Sequence, residues 1–427
     1  MNKSLGQELV SKFNQSYDST AKDKIWQKQS ADFRQFWLGR VLAPGNETIS
    51  DDDCDVVIRI LDSCGKGKTK DSEAVAHVGL SQVKWRKVFN NLHSDKKLAS
   101  LVDSIFKEAN IDRKAQLIDE LYAANAAGKK YLTGEGGNVL NALLAAYDPV
   151  KNLSAVSMKH RKALMDFLEI NSPFDLASAS IGKRISYSNE SIQEATRAFG
   201  LTGSARTLYQ FLYSDPVWDL WHMEDTVKRT DQQVIVTVPQ NTEAEKNEAS
   251  NEGEIRESLQ IQAALAEIGT RMGFQIWLPR ADRGRVLTKW KPDIGVLLEE
   301  LPVGFDQTTM KTIEQIDVLW LKKRTIVRAF EVEHTTSIYS GILRMADLLA
   351  MQPNLKIKLH IVAPASRSEK VSQEIHRPVF ALLDGGPLSD ICTYLSYDNV
   401  ADLREEKHLE HLSDKVIEEY EDKSQEA

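Results

Sequence analysis

The alternation of apolar and polar positions divides the chain into two stretches of different period. Up to about residue 236, apolar residues recur every three to four positions. DKIWQKQSADFRQFWLGRVL, KKLASLVDSIFKEA, RKAQLIDELYAANAAGKKYL, NVLNALLAAY and HRKALMDFLEI all carry this spacing, which predicts amphipathic helices. DVVIRIL (55–61) and QQVIVTV (232–238) are the few strand-like runs, and no internal repeat is visible. From residue 254 the pattern changes. EIRESLQIQAALAEIGTRM predicts a helix over 254–272 ending near Gly273, and FQIWL a strand over 274–278. A polar stretch, 279–312, then interrupts the pattern with DRGR, KP and LP. TIEQIDVLWL (312–321) and TIVRAFEVEH (325–334) flank the short basic turn KKR (322–324), which predicts two adjacent antiparallel strands. SIYSGILRMADLLAMQ (337–352) predicts a helix stopped by Pro353, and KIKLHIVAP (356–364) a buried strand. The predicted order is α-β-β-β-α-β.

Between the two stretches lies PQNTEAEKNEASNEGE (239–254), which has no aromatic residue and no apolar period. Such composition predicts a solvated linker. The expected organisation is a mostly helical recognition or partner-binding domain over 1–238, a flexible polar linker over 239–253, an α/β domain with a mixed sheet over 254–404, and an acidic helix or tail over 405–427. In the tail, Leu409, Leu412, Val416 and Tyr420 are spaced by three to four. This predicts an amphipathic helix packed on the domain or on a partner.

Composition narrows the class. The chain has 427 residues, 42% of them apolar, enough for two or three cored domains. No apolar run approaches the roughly 18–20 residues of a membrane span, and the first residues, MNKSLGQELVSKFNQSYD, lack a signal peptide's apolar stretch. Cys54, Cys64 and Cys392 form neither a CxxC pair nor a disulfide framework. A reduced, cytoplasmic protein is expected. The net charge of −8 is uneven: residues 1–236 balance at +1, residues 405–427 at −6, and residues 237–404 at −3. Overall acidity therefore does not exclude nucleic acid, whose binding depends on local basic patches and metals.

The acids of the second stretch carry the candidate chemistry. Asp317 sits among Ile316, Val318, Leu319 and Trp320, and Glu331 and Glu333 lie two apart in FEVEH. Period two puts both glutamates on one strand face, and the KKR turn brings Asp317 alongside. Glu257, on the preceding helix, is a candidate fourth acid. Carboxylates buried together are costly unless neutralised, and a hard divalent cation such as Mg²⁺ is the common solution. A cation so held activates water and stabilises a phosphorane, which points to phosphodiester hydrolysis. The competing reading is a solvated face, with Asp317 bridged to Arg324 or Arg328.

Glu257 on a helix, Asp317 on one strand and FEVE (330–333) on the next resemble the PD-(D/E)XK, restriction-endonuclease-like superfamily over about residues 254–364. The resemblance implies Asp317 and Glu331 as metal ligands, Glu257 assisting, and Mg²⁺ or Mn²⁺ as cofactor. It also implies an endonuclease acting on duplex DNA, a homodimer for cutting two strands, and a setting in defence against foreign DNA. The superfamily's lysine is replaced by Glu333, which would align or deprotonate the water. Arg344 on the following helix could stand in for the basic group; His334 follows Glu333 directly but points to the opposite face in a regular strand. IDVLWL…AFEVEHTTSIYSGILRMADLL is similar to uncharacterised bacterial restriction-endonuclease-like proteins. Two alternatives stay open: a nuclease fold that binds DNA without chemistry, and a protein-interaction component of a defence system.

Other signals are weaker. CGKGKTK (64–70) has Asp62 where a P-loop needs glycine, so a basic loop is expected. KWRK (84–87) offers Lys84, Arg86 and Lys87 to phosphates, and DRGR (282–285) offers Arg283 and Arg285. An ordinary solvated surface accounts for them equally well. His160, His334 and His376 lack the spacing of a zinc site.

Overall fold

Local signals set most of the helices in the first 223 residues. Ser50, Ser81, Ser157, Ser180 and Ser204 each accept a hydrogen bond from a backbone N–H of the helix they precede. Asp95 and Asn110 do the same. The computed structural model describes residues 3–45, 47–62, 74–76, 78–126, 131–134, 136–175, 178–222, 225–229, 232–236, 252–333, 338–352 and 357–422. The chain falls into two units, Met1–Met223 and Glu224–Ala427.

The first unit is helical throughout its described residues, as the 3.6-residue period predicts. Its core gathers Phe33, Trp37, Trp85, Phe89 and Leu143, with a second cluster around Leu164, Leu208 and Phe211. DVVIRIL, expected as a strand, lies in the helix Asp51–Leu61. Three aspartates fill that helix's first turn, where they favour the positive end of the helix dipole. The other expected strand, Gln232–Val236 (β2), pairs antiparallel with Asp225–Arg229 (β1). It falls in the second unit, so that unit begins ahead of the 239–253 stretch. Residues 237–251 and CGKGKTK lie outside the described residues.

The second unit is built on a mixed five-stranded sheet. Its strands are Gln275–Trp277 (β3), Val318–Lys322 (β4), Thr325–Val332 (β5), Lys358–Ala363 (β6) and Cys392–Ser396 (β7), in that spatial order. β3, β4 and β5 are antiparallel neighbours, while β6 and β7 run parallel to β5. Period two divides the residues between two faces. Trp277, Leu319, Leu321, Ala329, Leu359 and Ile361 share a core with the helix Ile338–Met351. On the other face, Trp320 packs on Phe274 and Phe330, and its Nε1–H donates to the carbonyl of Leu265 (3.1 Å), in the helix Glu252–Arg271. Among the described residues, no helix is long and apolar enough to cross a membrane.

Three expectations need correction. The 279–312 stretch contains two short helices, Arg280–Val286 and Gln307–Ile313. The strand expected over 312–321 begins only at Val318, because Ile313 and Ile316, three apart, are buried by a helix end and turn. The acidic tail is not one amphipathic helix. It runs as short turns, Leu409–His411 and Asp414–Val416, into the four-residue helix Ile417–Tyr420. Leu409, Ile417 and Tyr420 are buried while Leu412 is exposed. Buried Arg328 on β5 explains the shape: its Nε–H donates to Asp414 Oδ2 (2.9 Å), so the tail must bring an acid to the sheet.

Close packing above Trp320 gives a test. A Cβ on Gly269 would lie 2.6 Å from the Trp320 Nε1 and 2.7 Å from Ile276 Cδ1. Gly269→Ala is expected to shift the indole and cost about 1–3 kcal/mol, measured by urea unfolding of the full chain.

Candidate active site

The hairpin β4–β5 sets the positions of the acids. Val318 pairs with Phe330, so Asp317, one residue before β4, stands opposite Glu331. Glu333 follows β5 directly, and the ladder continues through it: its N–H donates to the carbonyl of Val362 (2.8 Å). Tyr397 Oη–H donates to the carbonyl of Glu333 (3.1 Å). Glu331 and Glu333 therefore share a face, and that face meets the helix Ile338–Met351. Its Arg344 grips Glu331 with two hydrogen bonds, Nε–H to Oε1 (2.8 Å) and Nη2–H to Oε2 (2.6 Å). Three residues earlier on the helix, the Gly341 N–H donates to Glu333 Oε1 (3.0 Å). A Cβ at Gly341 would sit 2.4 Å from that oxygen and 3.1 Å from Glu331 Cβ, so glycine is what lets the helix approach both acids.

Asp317 is part-buried, Glu331 fully buried and Glu333 nearly so. Asp317 Oδ2 accepts from the Val332 N–H (2.7 Å). Burial raises all three carboxyls: Asp317 to about 6, Glu333 to about 7, and Glu331 well above the usual range. For Asp317 the Val332 N–H, and for Glu331 the Arg344 guanidinium, pull the other way. Mutual repulsion adds to the rise, Asp317 acting on both glutamates. The hydrogen bonds to Glu331 raise Arg344 further above its ordinary value. One guanidinium thus faces three carboxyl groups in a site largely cut off from solvent.

The structure brings together Asp317, Glu331, Glu333 and Arg344. Glu257 is exposed on the helix Glu252–Arg271, and its charge, like those of Glu333 and Asp317, is among the causes that raise Tyr397. Among the described residues, no group of three or more His, Cys, Asp or Glu is placed to hold a metal ion. Both Glu331 oxygens point to Arg344, and Glu333 turns one oxygen to Gly341. His334 lies outside the described residues. Gly341 and Tyr397 were not read from sequence. An isolated glycine three residues before Arg344 in a helical run was the available signal for the first; none existed for the second.

The basic candidates fare differently. Lys84 is 5% exposed, its Nζ 5.1 Å from the Tyr131 ring centroid. Arg86 is held by Asp55 through two 2.9 Å hydrogen bonds and by Asp51 at 3.2 Å. Lys87 is part-buried and has an interaction of its own. KWRK is thus an internal joint of the first unit, since its helix turns Lys84 and Trp85 inward. Arg283 donates to the carbonyls of Leu278 and Leu298, pairs with Glu299 and lies over Trp277. Arg285, paired with Asp282, keeps about half its side chain exposed.

The comparisons with known proteins concern this same part of the chain. A family model described as the type II restriction enzyme NmeDI C-terminal domain matches residues 237–424. The type II restriction enzyme NmeDI of Neisseria meningitidis serogroup C is 34% identical over 137 residues, which is 30% of this chain and 39% of that protein. The chain thus spans well under half the length of the curated relative it matches. No solved structure matches. The second unit is therefore similar to the carboxyl-terminal domain of a type II restriction enzyme, and the chain is restriction-enzyme-like in that unit.

Raised carboxyl pKa values have a pH signature. Such groups stabilise the fold fully below their unfolded values near 4, and lose that contribution as pH rises through about 6 for Asp317 and about 7 for Glu333. With EDTA present, stability is expected to fall between pH 4 and 7, by up to about 1.4 kcal/mol per pH unit for each net proton. Glu333→Gln should flatten the upper part of that slope in urea titrations. An unchanged slope would contradict the assignment.

Proposed function

We propose that the second unit is a divalent-metal-dependent endonuclease core of the PD-(D/E)XK type, cutting duplex DNA in the manner of a restriction enzyme. One observation carries the reading: Asp317 and Glu331 face each other across the hairpin, with Glu333 two residues on. The similarity to the NmeDI C-terminal domain over the same residues supports it. The helix–strand succession from 252 to 363, with antiparallel β3–β5 followed by parallel β6, suits that fold.

The donor set fits a hard cation. All the side chains offered are carboxylates, their negative charge exceeds the single guanidinium, and two carboxylates with waters are a usual Mg²⁺ set. Asp317 and Glu331 would hold the ion, Mg²⁺ or Mn²⁺, which when bound supplies charge neutralisation, phosphate polarisation and a more acidic water. Glu333 titrates near 7, where a group can take a proton from water and return it at neutral pH. Gly341 and the Glu333 backbone bonds fix where that carboxylate stands, and Arg344 orients Glu331. Glu257 is kept as an outer acid near Tyr397. The first unit would recognise DNA or a partner, a homodimer would serve double-strand cutting, and defence against foreign DNA in the cytoplasm would be the setting.

The two-fork hold of Arg344 on Glu331 favours a second reading, in which the fold binds DNA and the guanidinium permanently takes the cation's place. Cleavage of plasmid, linear duplex, single-stranded DNA and RNA, with Mg²⁺, Mn²⁺ or EDTA, separates the two. Metal-dependent duplex cutting is expected, reduced at least about 100-fold in Asp317→Ala and Glu331→Ala. DNA binding without cutting, indifferent to metal and to both variants, would replace the enzyme with the binding module.

A further inference from the structure

In the first unit, four helices enclose a recess of about 20 Å³, open to solvent on one side. Its polar lining includes Lys114, Asn141, Asn152, Arg161, Ser186 and Glu190, beside an Asn189 already bonded to Leu153 and Lys151. They come from the helices Ile111–Ala124, Asn138–Tyr147, Met158–Phe167 and Ile181–Arg197 and from the turn after Tyr147. Room of this size admits water-sized groups, so only the terminal atoms of a larger ligand would enter.

Two buried atoms in this lining, Asn141 Oδ1 and Ser186 Oγ, lack partners, and Arg161 leaves one nitrogen open. Arg161 is 2% exposed. Its Nε–H donates to the carbonyl of Ala155 (2.6 Å), and Nη1–H to the carbonyl of Ile185 (2.9 Å) and to Ser188 Oγ (3.1 Å). These acceptors are all neutral. Among the described residues, Arg161 forms no ion pair and its Nη2 makes no hydrogen bond. Asn141 is fixed in orientation, because its Nδ2–H donates to the carbonyl of Val156 (2.8 Å), and its buried Oδ1 has no donor. Ser186 Oγ is buried without a partner. Lys114 and Glu190 are part-buried beside them, and Asp148 and Glu108 also act on the Lys114 charge.

A buried guanidinium without a carboxylate is costly to maintain; burial pushes Arg161 down to about 10. The open Nη2 and the Ser186 hydroxyl ask for anionic oxygens, whereas Asn141 Oδ1 asks for a donor. A phosphodiester has no P–OH to give. A monoprotonated phosphate, free or terminal, has both kinds of group. We infer that this recess binds a terminal phosphate, its oxygens against Arg161 and Ser186, its hydroxyl on Asn141, and Lys114 at the mouth. The inference does not rest on the nuclease reading.

Calorimetric titration of the full chain with inorganic phosphate and with sulfate, at constant ionic strength and neutral pH, tests it. Arg161 also ties together helix ends and its variants risk unfolding, so Lys114→Gln and Ser186→Ala are the probes, with exposed Arg113→Gln as control. Saturable phosphate binding is expected, stronger than sulfate binding, about tenfold weaker in each probe variant and unchanged in the control. No saturable binding, equal binding in the probe variants, or sulfate binding as tightly as phosphate would overturn the inference. Displacement of phosphate by a 5′-phosphorylated oligonucleotide, and not by its unphosphorylated twin, would identify a nucleic-acid end as the source. Binding of phosphate with displacement by neither would support the recess with a small phosphate as its ligand.

Discussion

A fully buried carboxylate on the central strand of the sheet dictates much of the second unit. Glu331 has no access to water, and removing one partner of such a buried pair costs about 3–5 kcal/mol. The partner has to come from the helix packed on that face, which fixes both the rotation and the height of Ile338–Met351. Arg344 must reach both oxygens of Glu331, and Gly341, one turn earlier, must come close enough to donate its N–H to Glu333. Gly341 therefore follows from Glu331. The apolar contacts of Ile342, Met345 and Leu348 complete a docking whose register the ion pair sets.

The opposite face of the same strand carries the complementary problem. Arg328, three residues before Glu331, is as buried as Glu331 but positively charged, and its answer comes from the chain's acidic end through Asp414 and, more distantly, Glu418. His360 on β6 lies beside it, 3.0 Å from Arg328 Nη1. An arginine only donates, so His360 Nε2 is the acceptor and Nδ1–H faces Thr393 Oγ1 at 2.8 Å. Burial and the nearby cation hold the imidazole neutral, well below its ordinary pKa. The acidity of the tail, which reads as mere solubility in a charge count, has a specific counter-charge inside the protein.

What could be read from sequence tracks the range of the interactions. Period two puts Glu331 and Glu333 on one face, a local effect; Asp317 comes opposite Glu331 only because a bulge between Trp320 and Leu321 shifts the register set by the turn after Lys322, and no sequence signal marks that bulge. The start of β4 was misjudged because Ile313 and Ile316 are apolar for a helical end, not a strand. KWRK was misread since amphipathic spacing does not reveal that Lys84 finds the Tyr131 ring 47 positions later. The tail's turns depend on Arg328, 86 residues upstream of Asp414. The second unit's beginning at 224, ahead of the polar stretch, reflects strand pairing and packing that no compositional boundary reports.

Where the proposed nuclease type would carry a lysine this chain has Glu333, and the charge balance of the site follows from that glutamate. A lysine there would leave two acids facing two cations once Arg344 is counted. Glutamate leaves three acids and one cation, an excess that burial makes expensive. Burial favours the protonated forms: Glu331 stays well above the carboxylate range, and Glu333 sits near 7. On the proposed reading, Asp317 and Glu331 would have to be ionised to hold a divalent cation, and Glu331 would share its oxygens with Arg344. Metal affinity would then rise with pH, and Arg344 would set how tightly the ion is held. The same guanidinium that neutralises Glu331 thus sets how much of that carboxylate would remain for a cation.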